Sequence, residues 1–436
     1  MTFEPVRPNG LPPLPKINQM AMLVDDANMS QLDMYAQIVL RELPKDPHAN
    51  LAAAYVARHF NLHERFQHFH QFAIQADRNI ADLAADLHID LAGINQFKVE
   101  CQQVNHASEN AQPEKFHIIK AWGFGFGAEM FSLMGQAYLA EILNRTPIVH
   151  WGENFLYRQM GSTCVFSHFF EPFNQHSISS LSKDSLQSIF PPKWNANNIL
   201  QENVQKKTGD FAKLSALYFL NTSAEVTVAD YYAGIINIRP WLPAGHHFES
   251  LDHDETYRFL MKKYLRPQPK IQALADSFIA ENLSEPFLAV HARGSDKDEG
   301  YRAMTSIPGQ TLELAKKRLS EMPEYSKLFL MTDDDSLLTV YRQTFGKRLV
   351  TTDSQRSSSD VGIHYDPKSN KRSAGQEMLV DMLIAARSAC FIGLGLSNPS
   401  QLICYMADFE PENYVLFGES RLKQFNTHLY KTIPIR

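Results

Sequence analysis

Residues 285–410 constrain the fold most, because short apolar runs alternate there with helical segments. Runs at 287–291, 328–332 and 389–393 have the length and composition of buried strands, and a polar loop and a helical pattern follow each of them. Strands that alternate with helices predict a parallel sheet, since each helix returns the chain to the starting edge. Ligands of such sheets bind outside the carboxyl ends of the strands. All three polar loops fall at that edge, which predicts a ligand site there.

The length and charge of the chain limit what it can be. At 436 residues it is too long for one ordinary core, so we expect two domains with a helical extension. A net charge of −6 gives no basic field of the kind that nucleic-acid binding needs. We therefore expect no nucleic-acid partner, and a phosphate ligand would have to be held by a local site.

The cysteines and apolar segments indicate a compartment. Four cysteines, at positions 101, 164, 390 and 404, have no C-x-x-C spacing, which favours free thiols in a reducing compartment over disulfides or zinc. No stretch approaches the ~18 consecutive apolar residues of a membrane span, and the first residues lack a signal-peptide pattern. The expectation is a cytoplasmic protein without a membrane span.

Composition and periodicity divide the chain into four parts. Residues 1–24 read as a proline-rich leader, and residues 25–112 as a helical extension whose apolar positions recur three and four apart. Residues 113–284 and 285–436 each begin with a strand-led α/β pattern. The predicted fold class is α/β, with two Rossmann-like domains facing each other across a cleft. The helical extension has no catalytic spacing, which favours docking or oligomerisation over a direct role in chemistry.

A glycine loop opens the first α/β domain. Gly123, Gly125 and Gly127 follow a strand and precede a helix, so their amides are candidates to face an anion at the helix start. The loop lacks the full dinucleotide-binding fingerprint, and a simple tight turn is the alternative.

The loop after the first strand of residues 285–410 carries cationic groups. Arg293 offers a forked donor that suits a diphosphate, Lys297 offers a point charge, and Asp296 would orient either of them. Surface ion pairs among Arg293, Asp296 and Glu299 are the structural alternative. The position at the carboxyl end of a strand favours the phosphate interpretation.

The loops after the next two strands carry carboxylate and hydroxyl groups. Asp334, in the acidic run 333–335, suits either a magnesium site or the first turn of a helix, where carboxylates complement the dipole. Asp381 lies on a helix and is a candidate to accept two hydrogen bonds from guanine, with an ordinary cap or ion pair as the alternative. Ser397 and Asn398 begin a helix and form a candidate phosphate site.

Taken together, these blocks resemble the GDP-fucose-dependent fucosyltransferases, in particular the α1,6-fucosyltransferase and nodulation fucosyltransferase group. The family's H-x-R-R-x-D-K block corresponds to His-Ala-Arg-Gly-Ser-Asp-Lys at 291–297, and its T-D-D-P-x-L-L block to Thr-Asp-Asp-Asp-Ser-Leu-Leu at 332–338. Its third block, a helical aspartate followed by a strand and a serine loop, corresponds to residues 377–397. The glycine loop at 122–128 and the lead-in at 144–149 are similar as well.

The resemblance implies a two-domain GT-B fold and a metal-independent inverting transfer, without a cofactor, from a GDP-sugar to a glycan or glycoconjugate acceptor. It implies that the first α/β domain holds the acceptor and the second holds the donor. The roles that it implies for single residues are these: Arg293 binds the β-phosphate, His291 and Asp381 recognise guanine, Ser397 holds the phosphate from the other side, and Asp296 and Lys297 organise the reacting centre. The catalytic base is expected to be Glu299 or Asp298. Asp334, Asn398 and the three loop glycines complete the expected donor-binding set.

Two departures from the family pattern affect these expectations. Gly294 stands where the family has a second arginine, and Tyr301 stands near the position of an acidic residue proposed as base in some relatives. The missing charge would come from Arg302, Arg372 or Arg387, or the donor would be a different nucleotide sugar. A degenerate sugar- or nucleotide-binding protein without activity is the third hypothesis.

Overall fold

The computed structural model describes most of the chain. The described residues are 14–60, 63–76, 78–104, 114–159, 161–162, 164–201, 219, 222–239, 242, 245–283, 286–294, 307–357, 363, 365–366, 369–407 and 409–418. Within these residues the chain forms an N-terminal helical layer followed by two α/β units, each built on a parallel sheet. None of the described helices is long and apolar enough to cross a membrane.

The N-terminal layer consists of amphipathic helices: α1 (Ile17–Asp25), α2 (Met29–Glu42), α3 (Pro47–His59), α4 (His63–Ile74), α5 (Ile80–Asp86) and α6 (Leu91–Val104). Local sequence signals start several of them. Asp46 caps α3, with its carboxylate accepting from the Ala49 amide and a proline at the first helical position. A buried ion pair between Arg65 and Asp33 joins α4 to α2 at 2.9 Å. The predicted helical extension is thus present.

The first α/β unit is built on a four-stranded parallel sheet in the order β2-β1-β4-β3. Its elements are β1 (Phe116–Lys120), α7 (Phe126–Ile142), β2 (Thr146–His150), β3 (Ile189–Phe190), β4 (Val226–Ala229), the short helix α8 (Ile235–Ile238), α9 (His253–Tyr264) and α10 (Pro269–Asn282). All five residues of β1 are buried. Both faces of the strand are therefore covered, and its two polar residues, His117 and Lys120, are hydrogen-bonded to protein groups.

The second α/β unit is built on a five-stranded parallel sheet in the order β7-β6-β5-β8-β9. Its elements are β5 (Phe287–His291), α11 (Ile307–Glu321), β6 (Lys327–Met331), α12 (Asp335–Phe345), β7 (Leu349–Val350), α13 (Lys371–Ala385), β8 (Cys390–Leu394), α14 (Asn398–Ala407) and β9 (Tyr414–Phe417). The three strands predicted from residues 285–410 are β5, β6 and β8, and they are neighbours in the sheet. The predicted fold class is confirmed.

Two details of the sequence prediction are wrong. The proline-rich leader does not extend to residue 24, because α1 begins at Ile17 and buries Met20, Leu23 and Val24. Helical structure and apolar packing therefore begin two residues after Pro15. The two-residue strands β3 and β7 escaped prediction because they are too short to show a period. The four cysteines are free, and Cys101 and Cys390 are buried.

The two α/β units meet through the first turns of α7 and α14. A Cβ on Gly127 of α7 would lie 2.9 Å from the Asn398 Cβ and 3.2 Å from the Pro399 Cδ of α14. Both helices begin at the carboxyl edges of their sheets, so these edges face each other. A second contact joins the units where Gln376 Nε2 donates to the His168 carbonyl at 3.0 Å.

Candidate functional site

The strand order of the second sheet places its ligand crevice between β5 and β8. The chain runs from β5 to β6 and β7 on one side, and from β8 to β9 on the other. The helices that follow the two central strands therefore lie on opposite faces, which leaves a crevice at the carboxyl ends of these strands. His291 ends β5, and the loop from Leu394 to Asn398 follows β8. Three of the residues predicted to bind the donor, His291, Ser397 and Asn398, thus lie at this crevice.

His291 is joined across the crevice to the first turn of α14. Its Nδ1 lies 2.7 Å from the Ser400 Oγ, and the Leu394 amide donates to the same hydroxyl at 3.0 Å. A Cβ on Gly393 would lie 2.6 Å from that hydroxyl oxygen, so only glycine leaves room for this contact. The arrangement fixes the end of β5 against the start of α14.

His291 is neutral at ordinary pH. Burial lowers the pKa of His291 to about 4, and the positive charge of Arg293 lowers the pKa further, whereas Asp333 acts in the opposite direction. These electrostatic effects also show that Arg293 and Asp333 lie close to the ring. Arg293 itself is half-buried at the carboxyl edge.

Ser397 presents a hydroxyl that the protein does not use. The residue is 1% exposed, and its Oγ has no hydrogen-bond partner among the described residues. It directly precedes α14, whose first amides have no partner within the helix. A buried hydroxyl without a partner is costly, so its retention beside a helix start points to a ligand oxygen.

Asp381 lies on α13 beneath the loop that follows β7. Its Oδ1 accepts from the Thr352 hydroxyl at 2.6 Å and its Oδ2 from the Ser354 hydroxyl at 3.0 Å. Burial raises the pKa of Asp381 to about 6, although both hydroxyls act to lower the pKa. Each carboxylate oxygen has two acceptor positions, so one position on each oxygen remains for a ligand. The predicted contact with guanine stays a prediction.

Asp334 is the N-cap of α12. Its Oδ1 accepts from the Ser336 amide at 2.6 Å and from the Leu337 amide at 3.1 Å. The helix-cap alternative for the acidic run is therefore confirmed for this residue. The neighbouring Asp333 accepts from the Gly294 amide at 3.3 Å, and its carbonyl accepts from the Ser357 amide at 2.8 Å. These contacts tie together the loops after β5, β6 and β7.

Asp334 also explains the glycine at position 294. A Cβ built on Gly294 would lie 2.0 Å from the Asp334 Oδ2 and 2.6 Å from the Asp334 Cβ. The second contact is close to the backbone, so the cap would have to move before any side chain fitted. An arginine at this position is incompatible with the cap that this chain uses.

Of the arginines considered as replacements, Arg387 is excluded by its position. It follows α13 and lies near the amino end of β8, at the sheet edge opposite the crevice, where it pairs with Asp276 at 2.6 Å. Arg372 lies at the start of α13, and its charge lowers the pKa of His168 in the first unit. Arg372 is therefore on the correct edge, facing the other unit. Arg302 lies outside the described residues.

The glycine loop does not offer the amides that were expected. Both carboxylate oxygens of the buried Glu129 are taken up by this loop: Trp122 donates to one at 2.9 Å, and Gly123 and Phe124 donate to the other at 2.5 and 3.0 Å. The expectation that the Gly123 amide faces a ligand is wrong, because Glu129, one turn into α7, already supplies the anion.

Gly125 and Gly127 have different surroundings. Nothing lies within 4 Å of a Cβ built on Gly125, so there is open space beside the start of α7. Gly127 instead allows α7 to approach Asn398 and Pro399. Donor binding by Gly125, Gly127 and Asn398 remains a prediction, and all three are at the contact between the two edges.

The remaining predicted catalytic residues lie outside the described part of the chain. They are Asp296, Lys297, Asp298 and Glu299, which follow Gly294 directly. Their roles as organisers of the reacting centre and as base stay predictions. The last described residues before them, Arg293 and Gly294, lie at the carboxyl end of β5.

At the carboxyl edge of the first sheet, two charged side chains are paired within the protein. Lys120 donates to the Gln201 carbonyl at 2.8 Å, and Asp230 accepts from Lys193 at 2.6 Å. Burial lowers the pKa of His150 to about 4, and the positive charge of Lys120 acts in the same direction. Trp151 and Tyr157, two large aromatic residues of the first unit, are buried core residues.

Sequence reasoning missed Ser400, Thr352, Ser354 and Glu129. Ser400 carried a signal, because a serine three residues after Ser397 falls in the same first helical turn. Thr352 and Ser354 belong to a polar loop with no period. Asp381 lies 29 positions after Thr352 and 27 positions after Ser354, so only the tertiary structure brings these side chains together.

Comparisons with known proteins identify similar folds only. No protein-family model matches the chain, and no curated protein matches it. Similar solved structures include NodZ α-1,6-fucosyltransferase co-crystallized with GDP, with 20% identity over 68% of this chain and 92% of that chain and a TM-score of 0.45. Fucosyltransferase NodZ from Bradyrhizobium gives the same identity, coverage and TM-score. POFUT1 in complex with GDP has 16% identity over 71% of this chain and 100% of that chain, with a TM-score of 0.41.

The structures to which the chain is similar are thus fucosyltransferases. TM-scores below 0.5 transfer neither a residue role nor an activity. The function is therefore argued from the site itself.

Proposed function

We propose that the protein is an inverting glycosyltransferase that moves fucose or a related sugar from a GDP-sugar to a hydroxyl of a glycan or glycoconjugate. The observation that carries the proposal is the crevice between β5 and β8. There the Ser397 hydroxyl, which has no partner among the described residues, directly precedes α14, and Arg293 lies two residues beyond the neutral His291 at the end of β5. This set suits a diphosphate, because a forked cation, a hydroxyl and free helical amides all bind phosphate oxygens.

The chemistry of sugar transfer agrees with this set of groups. The transition state of glycosyl transfer resembles an oxocarbenium ion, and negative charge grows on the departing GDP. Fixed donors such as Arg293 stabilise that charge without reorganising. No residue of the proposed mechanism requires a metal, and the acceptor proton would pass to Glu299 or Asp298.

The first α/β unit would hold the acceptor. Its carboxyl edge faces the donor crevice through the contact between α7 and α14, so an acceptor bound there would reach the sugar. The acceptor is expected to be a glycan or glycoconjugate, as the sequence resemblance implies.

A panel of donors tests the proposal. Hydrolysis of GDP-fucose, GDP-mannose and a series of UDP-sugars would be measured with the full-length protein, with and without excess chelator. Turnover of a GDP-sugar that persists in chelator is the expected result. A preference for UDP-sugars would favour a transferase of the same fold with another donor. The absence of both binding and hydrolysis would favour the degenerate binding protein, which Gly294 suggests.

A further inference from the structure

Ser400 occupies an unusual position for a helical serine. It lies in the first turn of α14, is 0% exposed, and contacts the ends of both central strands. Its Oγ accepts from the Leu394 amide of β8 at 3.0 Å and lies 2.7 Å from the His291 Nδ1 of β5. The hydroxyl therefore bridges the two sides of the crevice.

The surroundings of Ser400 determine where the protons are. A buried hydroxyl donates its one proton whenever an acceptor is in reach. The Leu394 amide is itself a donor, so it cannot receive that proton. Among the described residues, the His291 Nδ1 is the acceptor that remains within hydrogen-bond distance. The hydroxyl thus donates to Nδ1, and the proton of the neutral imidazole is on Nε2.

We propose that Ser400 is a positioning residue that holds His291 in the tautomer protonated on Nε2, so that His291 donates a hydrogen bond to the nucleotide. This inference rests on the proposed function, since it takes a GDP-sugar as the ligand. The other ring nitrogen of His291, Nε2, has no hydrogen-bond partner among the described residues. The contact of Nδ1 with Ser400 therefore determines the tautomer.

The hydrogen-bond donor on His291 and the acceptor on Asp381 together favour one class of base. A 6-oxopurine offers an acceptor at its oxygen and a donor at N1, whereas adenine offers a donor at its amino group and an acceptor at N1. A donor on His291 and an acceptor on Asp381 complement the first pattern and oppose the second. Ser400 would therefore contribute to the choice of guanine over adenine without touching the base.

Gly393 supports this interpretation. A Cβ at this position would lie 2.6 Å from the Ser400 Oγ and 2.8 Å from the Phe391 ring. The strand thus leaves the space that the bridging hydroxyl needs. A serine that served only as a helix residue would not require it.

The tautomer is measured directly by NMR on full-length protein labelled with ¹⁵N-histidine. Among the 17 histidines, the signals lost in His291→Gln identify His291. The expected pattern has a protonated Nε2 and an unprotonated Nδ1, and Ser400→Ala is expected to give a mixture of the two tautomers. A protonated Nδ1 in the wild type, or an unchanged pattern in Ser400→Ala, overturns the proposal.

Calorimetry with GDP and ADP measures the consequence for binding. Loss of one neutral hydrogen bond corresponds to about a threefold to tenfold change, so Ser400→Ala is expected to weaken GDP by that factor and to leave ADP unchanged. Ser400→Thr, which keeps the hydroxyl, is expected to restore the GDP preference. The matched control is Ser388→Ala, which removes a buried serine hydroxyl that donates to the Ala385 carbonyl away from the crevice.

The two measurements separate the possible failures. If the wild type binds no GDP but His291 shows the expected tautomer, the proposed function and the contact with the nucleotide are wrong, and only the control of the tautomer by Ser400 stands. If GDP binds and Ser400→Ala lowers GDP and ADP affinity equally, the positioning role is wrong. Circular dichroism and thermal melts verify that each variant is folded.

Discussion

The carboxyl edges of the two sheets use similar residue types in opposite ways. At the edge of the first sheet, the amides of the glycine loop bind Glu129, and Lys120 and Asp230 are paired with protein groups. At the edge of the second sheet, the Ser397 hydroxyl has no partner among the described residues. At the first edge these charged groups are paired within the protein, whereas at the second a serine hydroxyl at a helix start has no partner among the described residues. This difference, rather than the presence of a glycine loop, supports the proposed position of the donor site.

The largest effect is expected from Arg293→Ala. If the second edge binds the diphosphate, loss of the forked donor should weaken GDP by about a hundredfold and abolish transfer, because charge-assisted pairs are the strongest hydrogen bonds available. The measurement is GDP affinity by calorimetry together with donor turnover. Arg387→Ala is the control, since that arginine pairs with Asp276 at the opposite edge and should leave both values unchanged. Near-normal turnover of Arg293→Ala would remove the phosphate assignment.

Asp381→Asn should have the next largest effect. Replacing one acceptor oxygen by a donor opposes guanine, and we expect GDP affinity to fall about thirtyfold. The affinity for UDP or inorganic phosphate should change much less, since neither has the guanine edge. Glu377→Gln is the control on the same helix, where the side chain accepts from the Gln355 amide at 2.8 Å. Equal losses for all three ligands would exclude a role in base recognition.

The pH dependence of GDP binding tests the same carboxylate. The pKa of Asp381 is raised to about 6 by burial, so the group is ionised at pH 7.5 and mostly protonated at pH 5. Protonation removes an acceptor, and the GDP affinity should fall about tenfold as the pH decreases between these values. Titration of the GDP phosphate also changes the GDP affinity with pH. The Asp381→Asn variant lacks the ionisable carboxylate, so its pH curve gives the contribution of the phosphate alone. A wild-type curve that matches this variant would contradict the expectation.

Ser397→Ala separates ligand binding from stability. The hydroxyl has no hydrogen-bond partner among the described residues, so its removal should leave the free energy of unfolding unchanged or raise it by about 1 kcal/mol. GDP affinity should nevertheless fall about fivefold. In Ser388→Ala the opposite pattern is expected, with lower stability and unchanged GDP affinity, because that hydroxyl donates to the Ala385 carbonyl at 2.8 Å. Denaturant unfolding and calorimetry measure the two quantities.

Glu129→Gln should affect binding least and stability most. The carboxylate holds three amides of the glycine loop, and its replacement should lower the free energy of unfolding by about 2 to 3 kcal/mol. The GDP affinity of the folded variant should change less than threefold. A large loss of affinity at unchanged stability would show that the first edge also binds the donor, which would contradict the difference drawn between the two edges.

The order of elements in the second unit followed from local pattern. Strands β5, β6 and β8 are continuous apolar runs that are buried in the sheet, and their polar loops lie at one edge as predicted. The positions of His291, Arg293 and Ser397 at this edge were predictable for the same reason, since each lies within two residues of a strand end or a helix start. Their roles stay predictions. The short strands and the contacts of Asp381 were beyond prediction, because they depend on pairing between distant segments.

The sequence by itself determined that the chain forms parallel α/β units and that cationic and hydroxyl groups stand at strand ends. Strand burial and helix starts are local properties, which residue type and spacing control. Only the tertiary structure decided which polar groups the protein satisfies internally. Glu129 fills one loop, Asp334 fills the space beside Gly294, and Ser400 sets the polarity of His291. Each of these outcomes depends on a distance of a few ångströms between elements, and such distances are fixed only when the elements pack.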